Sequence, residues 1–314
     1  MYISIEFKMN SMIVIYCDSI LDNKLVDPDY ENELIASKRN DFESFLISFE
    51  ELSDENTEKA LKLVNPQDKT TKAIYRGWML TPVLYKKLYD GLLSKNIKLV
   101  NSPEEYIHTH YLPNSYEKIK AVTPKSNWIK LNGSIDIISV LKLASEFKNN
   151  PIIVKDYVKS EKHNWEEACY IPNASDSEKV KNVVDKFIEL RGNSLNEGIV
   201  FRAFEQLEFL TEHSQSGMPL TKEFRVFFAN KQIVSVFNYW DEGEYGDLKP
   251  NLDEFVEIAK GIDSNFFTMD VAQKKNGEWI IMELGDGQVA GLPDNANIDS
   301  FYYELKYIIS SFLL

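Results

Sequence analysis

Cysteine is scarce in this 314-residue chain. Cys17 and Cys169 are too few for a disulfide framework or a structural zinc site. Histidine occurs four times, at His108, His110, His163 and His213, with no HExxH or CxxC, which leaves a transition-metal enzyme little to build on. No run approaches the roughly 18 apolar residues of a membrane span. The first residues lack the basic start, apolar core and small-residue cleavage site of a leader, so the expectation is a cytoplasmic protein. Positive charge is in deficit: 35 Lys and Arg against 49 Asp and Glu give a net charge of −14. That disfavours nucleic acid and anionic membranes as partners, while leaving room for one cationic pocket that takes a small anion. The GxxxxGK[ST] and GxSxG signatures and the kinase signatures are missing, which removes P-loop and nucleophile-elbow chemistry. Residues 285–291 (GDGQVAG) nearly match a dinucleotide fingerprint, but the spacing is one residue long and Leu-Pro-Asp follows instead of a helix.

What is present is ordinary globular composition, with 44% hydrophobic and 27% charged residues, in a length that suggests about two domains. Residues 12–17 read as a buried strand, and acidic, helix-prone segments follow to about residue 64. A short strand at 73–76 precedes a helix opened by Thr81 as N-cap and Pro82 at its first position. Another strand at 97–100 precedes a second helix start, Ser102-Pro103-Glu104-Glu105. This alternation predicts a small α/β domain ending near residue 120, with 121–127 as a linker. Beyond it the spacing predicts helices over 134–147, 176–191 and 298–314, and strands over 151–156 and 198–202. The C-terminal part carries two hairpins, one turning at Asn230-Lys231 and one at Asn276-Gly277.

The second hairpin sets a register. If Asn276 and Gly277 form a two-residue loop, Lys275 pairs with Glu278 and Asp270 lies opposite Glu283. Like charges directly opposed on a sheet repel, and the neighbours Met269, Val271, Met282 and Leu284 are apolar, so the pair needs a counter-charge. One solution is a hard divalent ion such as Mg²⁺, with Asp286 as a third oxygen donor. The other is a bulge that separates the carboxylates, or an Arg or Lys that neutralises them. Cations recur in otherwise apolar strands: Lys155, with Lys159 four residues on, Arg202 and Arg225. Each fits an ordinary salt bridge, to Asp156, Glu205 or Glu223 for instance; as a set they fit a polyphosphate.

The order of these features resembles the ATP-grasp superfamily, and within it the bacterial and phage branch of a clade marked by two arginines and a lysine. The likeness rests on residues 75–82 (YRGWMLTP), 101–106 (NSPEEY), 155–160 (KDYVKS) and 283–288 (ELGDGQ), and spans roughly residues 70–295. It implies an α/β (α+β) chain with an N-terminal domain at 1–120 and an ATP-grasp domain at 121–314, its lobes meeting at residue 200. It implies ATP and Mg²⁺ as cofactors. Lys155, Lys159, Arg202, Glu205 and Arg225 become nucleotide contacts, with Arg225 and Lys155 catalytic, and Asp270, Glu283 and Asp286 become metal ligands. Where ATP-grasp enzymes commonly carry the Asn of Glu-x-Asn, this chain has Gly285. The implied activity is ligation of a carboxylate to an amine or thiol through an acylphosphate, with a peptide or protein among the acceptors. Arg76 is a candidate for holding a substrate carboxylate, and His110 a second. A nucleotide-binding assembly factor with little turnover and a phosphotransferase are the rival readings. The acidic segment at 18–65 is expected to be a solvated helical cover.

Overall fold

The computed structural model describes residues 12–131, 136–214 and 219–311. Its strands are β1 (Met12–Ser19), β2 (Asp22–Val26), β3 (Phe42–Ile47), β4 (Thr71–Arg76), β5 (Ile97–Leu99), β6 (Ser126–Lys130), β7 (Ile152–Lys155) and β8 (Tyr170–Ile171). They continue with β9 (Gly198–Ala203), β10 (Phe209–Glu212), β11 (Pro219–Thr221), β12 (Glu223–Ala229), β13 (Gln232–Asn238), β14 (Phe266–Gln273) and β15 (Trp279–Asp286).

In the N-terminal part β3, β1, β4 and β5 lie side by side and parallel, and β2 folds back antiparallel on the end of β1. The segment read as a helical cover therefore holds two strands. The β3 sequence FESFLI buries Phe42, Phe45 and Ile47 against the sheet, and a turn with Asp41 at φ 57° ends the helix Glu31–Arg39 just before it. Thr81 caps the helix Pro82–Leu93 by accepting from the Leu84 N–H, and Ser102 and Glu105 form a reciprocal capping box on Pro103–His110. Each such cap is worth roughly 1 kcal/mol.

Two four-stranded antiparallel sheets follow, and β10 and β11 pair as a separate antiparallel ribbon. The first lobe orders its strands β6-β9-β7-β8 and the second β13-β12-β14-β15. Residues 121–127 are less of a linker than their composition suggests, since Ser126 already starts β6. Val122 accepts from the Ile281 N–H, and Thr123 donates to the Ile281 carbonyl at 2.7 Å. The expected lobe boundary at residue 200 falls inside β9, which pairs with β6 and β7 through Ala203. The closing helix Ile298–Ser311 returns to the first sheet: Phe301, Tyr302, Leu305 and Ile308 share a core with Val14, Tyr16, Phe42 and Ile74. Residues 134, 135 and 312–314 of the expected helices lie outside the described residues. The helix Asp253–Lys260, which no sequence signal announced, covers the far face of the second lobe with Phe255 and Ala259.

The two lobes present their inner faces to each other. Along β9, Ile199 and Phe201 enter the first lobe's own core, which turns Val200 and Arg202 the other way. Along β14, Met269 and Val271 enter the second lobe's core, which turns Thr268 and Asp270 toward the cleft.

Candidate nucleotide and metal site

Asp270 does lie directly opposite Glu283, as the Asn-Gly turn suggests, but by a different route. The loop is longer than two residues: Lys274 donates to the Glu278 carbonyl and Gly277, at φ 89°, closes the turn. Near the turn Gln273 pairs with Trp279 and Val271 with Ile281, one residue short of the expected register. A bulge at Met282 then restores it, so that Asp270 meets Glu283. Arg202 holds that bulge from the first lobe, its Nη2 donating to the Met282 carbonyl at 2.6 Å and to Thr123 Oγ1 at 2.9 Å.

Both carboxylates have cations beside them. Arg225, paired with Asp270 in the β12–β14 ladder, donates to both of its oxygens at 2.8 Å and sits 4.8 Å over the Tyr239 ring. Desolvation works against the guanidinium's charge, and Asp270 overrides it, holding the group above its ordinary value. Lys155, at the end of β7, reaches across the cleft to Glu283 Oε1 at 2.7 Å. Desolvation pushes the Glu283 carboxyl up, but Lys155, Lys162 and Lys159 together bring it down to about 2. It is a firm anion at neutral pH.

Asp156, fully buried, shapes the segment after β7. Its Oδ1 accepts the Val158 and Lys159 N–H groups at 2.7 and 2.6 Å, and its Oδ2 accepts from Arg191 and Asn196. The resulting turn directs Lys159 and Lys162 toward Glu283. Burial pulls Lys159 down, with Glu283 opposing. Lys162 is also desolvated, but Tyr239, Glu223, Glu283 and Asp270 outweigh that and raise it. Lys162 and Tyr239 were missed in the sequence, where Asp156 and Glu223 figured only as salt-bridge partners for the strand cations. The spacing of Lys155, Lys159 and Lys162 was the available signal, but it says nothing of the turn that aims them. Arg202, 2% exposed, has no carboxylate within salt-bridge distance among the described residues. Burial lowers it to about 10, so it too stays charged at neutral pH.

The remaining candidates lie elsewhere. Asp286 is on the opposite face of β15 from Glu283, fully buried, accepting from Asn101 Nδ2 at 2.6 Å and the Gln288 N–H at 2.9 Å. Strand alternation keeps it from the pair. Arg76 is buried and fully engaged: Nε and Nη2 meet both Glu33 oxygens at 2.7 Å, and Nη1 donates to the Gly287 and Ala290 carbonyls. It has no free edge for a substrate carboxylate. His110 is buried with its ring against Tyr106, centroids 4.9 Å apart. Burial, then Lys159, lowers it to about 4, so it is a neutral ring bordering the lysine cluster. Glu205 follows β9 and faces Lys274 at 3.7 Å. It lines an open 510 Å³ hollow with Lys125, Phe147 and Phe204, and its charge also acts on Arg202.

No group of three His, Cys, Asp or Glu that could hold a metal occurs among the described residues. Two directly opposed carboxylates still suit Mg²⁺, which takes one or two protein carboxylates and completes its shell with water and substrate phosphates. Asp270 and Glu283 would hold it, and the five cations around them match the phosphates that accompany it.

The model of an ATP-grasp domain family, family 3 of the clade named for two arginines and a lysine, matches residues 144–305, just over half of the chain. No curated protein matches. Among solved structures, a RimK domain protein ATP-grasp from Sphaerobacter thermophilus aligns at TM-score 0.59 and 11% identity, over 95% of this chain and 99% of that one. The ATP-grasp ligase PsnB, complexed with minimal precursor, Mg and ADP, aligns at 0.55 and 12%, over 96% and 98%. The macrocyclase MdnC, bound with precursor peptide MdnA from Microcystis aeruginosa, aligns at 0.54 and 14%, over 96% and 99%. At such identities the structures establish the fold. By its family match the chain belongs to the ATP-grasp proteins, in family 3 of the two-arginine, one-lysine clade, whose nucleotide is ATP and whose metal is Mg²⁺.

Proposed function

We propose that the protein is an ATP-dependent ligase that joins a carboxylate to an amine through an acylphosphate, with a peptide or protein as one substrate. The observation that carries this is the Asp270–Glu283 pair, opposed across one ladder and ringed by Lys155, Lys159, Lys162, Arg202 and Arg225 from both lobes. A bound Mg²⁺ would supply charge neutralisation between these carboxylates and the phosphates. Arg225 and Lys155, released from Asp270 and Glu283, would then turn to the phosphate oxygens.

In the first step a substrate carboxylate oxygen attacks the γ-phosphorus and ADP leaves. In the second the amine attacks the acyl carbon, phosphate departs and the nitrogen loses a proton. The chain's part is positioning and charge neutralisation. Trp165, Tyr170 and Phe204 form an aromatic cluster beside β7–β9 that suits the adenine. The peptide reading is supported by PsnB and MdnC, both solved with precursor peptides. Two free, buried thiols, Cys17 and Cys169, support a reducing, cytoplasmic setting. No helix among the described residues is long and apolar enough to cross a membrane.

The test is calorimetry of ATP with and without Mg²⁺ on the wild type and on Asp270→Asn/Glu283→Gln, followed by ADP release on a panel of peptides. Mg²⁺-dependent binding that the double variant loses, with peptide-dependent ADP release and loss of water from the joined product, supports the ligase. Binding without such release favours the assembly-factor reading, to which Gly285 lends weight. Absence of ATP binding by the wild type sinks both.

A further inference from the structure

Position 285 offers no side chain where the resemblance expects a metal ligand, yet the structure puts an oxygen there. Gly285 pairs with Thr268 in the β14–β15 ladder, two residues along each strand from the Asp270–Glu283 pair, with no irregularity between them. Side chains two apart share a face, so Thr268 stands on the face that carries both carboxylates. A Cβ built on Gly285 would lie 2.8 Å from Thr268 Oγ1, and no other atom beyond its chain neighbours comes within 4 Å. The threonine hydroxyl thus stands where the absent side chain would begin. Thr268 is 2% exposed, on the cleft face of β14. Hydroxyl oxygen is a hard donor, and Ser or Thr hydroxyls serve Mg²⁺ in other phosphate-binding loops.

We propose that Thr268 supplies the third protein oxygen of the Mg²⁺ site, in place of the side chain that Gly285 lacks. The inference rests on the nucleotide reading above. The residue at 285 must then be small because the hydroxyl needs its space, which makes Thr268 and Gly285 a matched pair. Asp286 cannot fill the role, because it points to the opposite face and is held by Asn101 and Gln288.

The experiment reads metal binding directly: Mn²⁺ titrated by electron paramagnetic resonance in the presence of AMP-PNP, on the whole chain. Thr268→Val keeps the shape and removes the oxygen, and it is expected to weaken nucleotide-dependent Mn²⁺ binding about 10-fold. Thr268→Ser is expected to retain it, and Thr268→Ala/Gly285→Asn to regain what Thr268→Ala loses. AMP-PNP affinity in EDTA should be the same in all of them. A Thr268→Val protein with wild-type Mn²⁺ affinity overturns the proposal and leaves the ligase reading standing. If Val lowers the Tm, equal Mn²⁺ affinity of Thr268→Ala and Thr268→Ala/Gly285→Asn overturns it instead. A wild type that binds neither AMP-PNP nor Mn²⁺ overturns the nucleotide reading, and this inference with it.

Discussion

Lys155 Nζ lies 2.7 Å from Glu283 Oε1, an ion pair that ties the end of β7 in one lobe to β15 in the other. Its consequence for acid stability has a definite sign. The Glu283 carboxyl is brought from 4.5 to about 2: desolvation acts against this, and Lys155, Lys162 and Lys159 win. A folded value below the unfolded one adds stability that is fully present above about pH 4.5 and is lost as pH falls toward about 2. The Glu283 side chain is 43% exposed, so solvent screening keeps the contribution modest. In urea denaturation without Mg²⁺, the gap between wild type and Glu283→Gln should be constant at neutral pH and close within that acid window. A gap that widens on acidification would contradict the pairing.

Three residues along β15, Asp286 has the opposite sign. Burial lifts its carboxyl from 3.8 to about 7, against the hydrogen bonds from Asn101 and Gln288. The folded state therefore holds a proton that the unfolded state gives up, and stability falls as pH rises from about 3.8 to about 7. Relative to Asp286→Asn, which does not titrate, the wild type should lose ground across that window. A stability difference independent of pH would show that Asp286 is ionised throughout.

The Asp270–Glu283 opposition was legible because period-two alternation and an Asn-Gly turn constrain a hairpin strongly. Legibility here owed something to cancellation. The longer loop shifted the register by one residue and the bulge at Met282, bonded to Arg202 from another lobe, shifted it back. A contact 80 residues away is invisible to local pattern. The same limit explains Arg76 and Asp286. Both sit in motif-like sequences, but tertiary partners (Glu33 for one, Asn101 for the other) turn them into internal struts. β3 was missed because Glu43 and Ser44 interrupt its apolar residues in an acidic stretch. Asn40-Asp41, a helix end followed by Phe-Glu-Ser-Phe-Leu-Ile, was the signal for it.

Arg76 and Glu33 are 1% and 7% exposed at the side chain, and Tyr302 adds a 2.7 Å hydrogen bond to Glu33. Removing one partner of such a pair leaves an uncompensated buried charge, at a cost of about 3–5 kcal/mol. Arg76→Met should therefore lower the denaturation midpoint sharply, and adding Glu33→Gln should recover part of the loss. ATP affinity of the folded fraction should stay at the wild-type level. A selective loss of substrate or nucleotide binding with stability intact would return Arg76 to the binding site.

Trp165 stacks on Tyr170 with centroids 5.2 Å apart and planes 9° from parallel, and Phe204 meets both edge-on while remaining 38% exposed. Tyr170 pairs with Ile153, as does Arg202, so the cluster adjoins Arg202 on the same sheet. An aromatic face at that position suits a base, and stacking is worth about 1–3 kcal/mol per base by alanine substitution. Phe204→Ala should weaken ATP by at least about 5-fold while leaving inorganic triphosphate unchanged, because the lysines and arginines remain. ADP should change the wild-type tryptophan fluorescence, and Trp165→Phe should remove that change. Equal weakening of ATP and triphosphate would mean that Phe204 supports the cleft rather than the base. An unchanged ATP affinity would place the adenine away from this cluster.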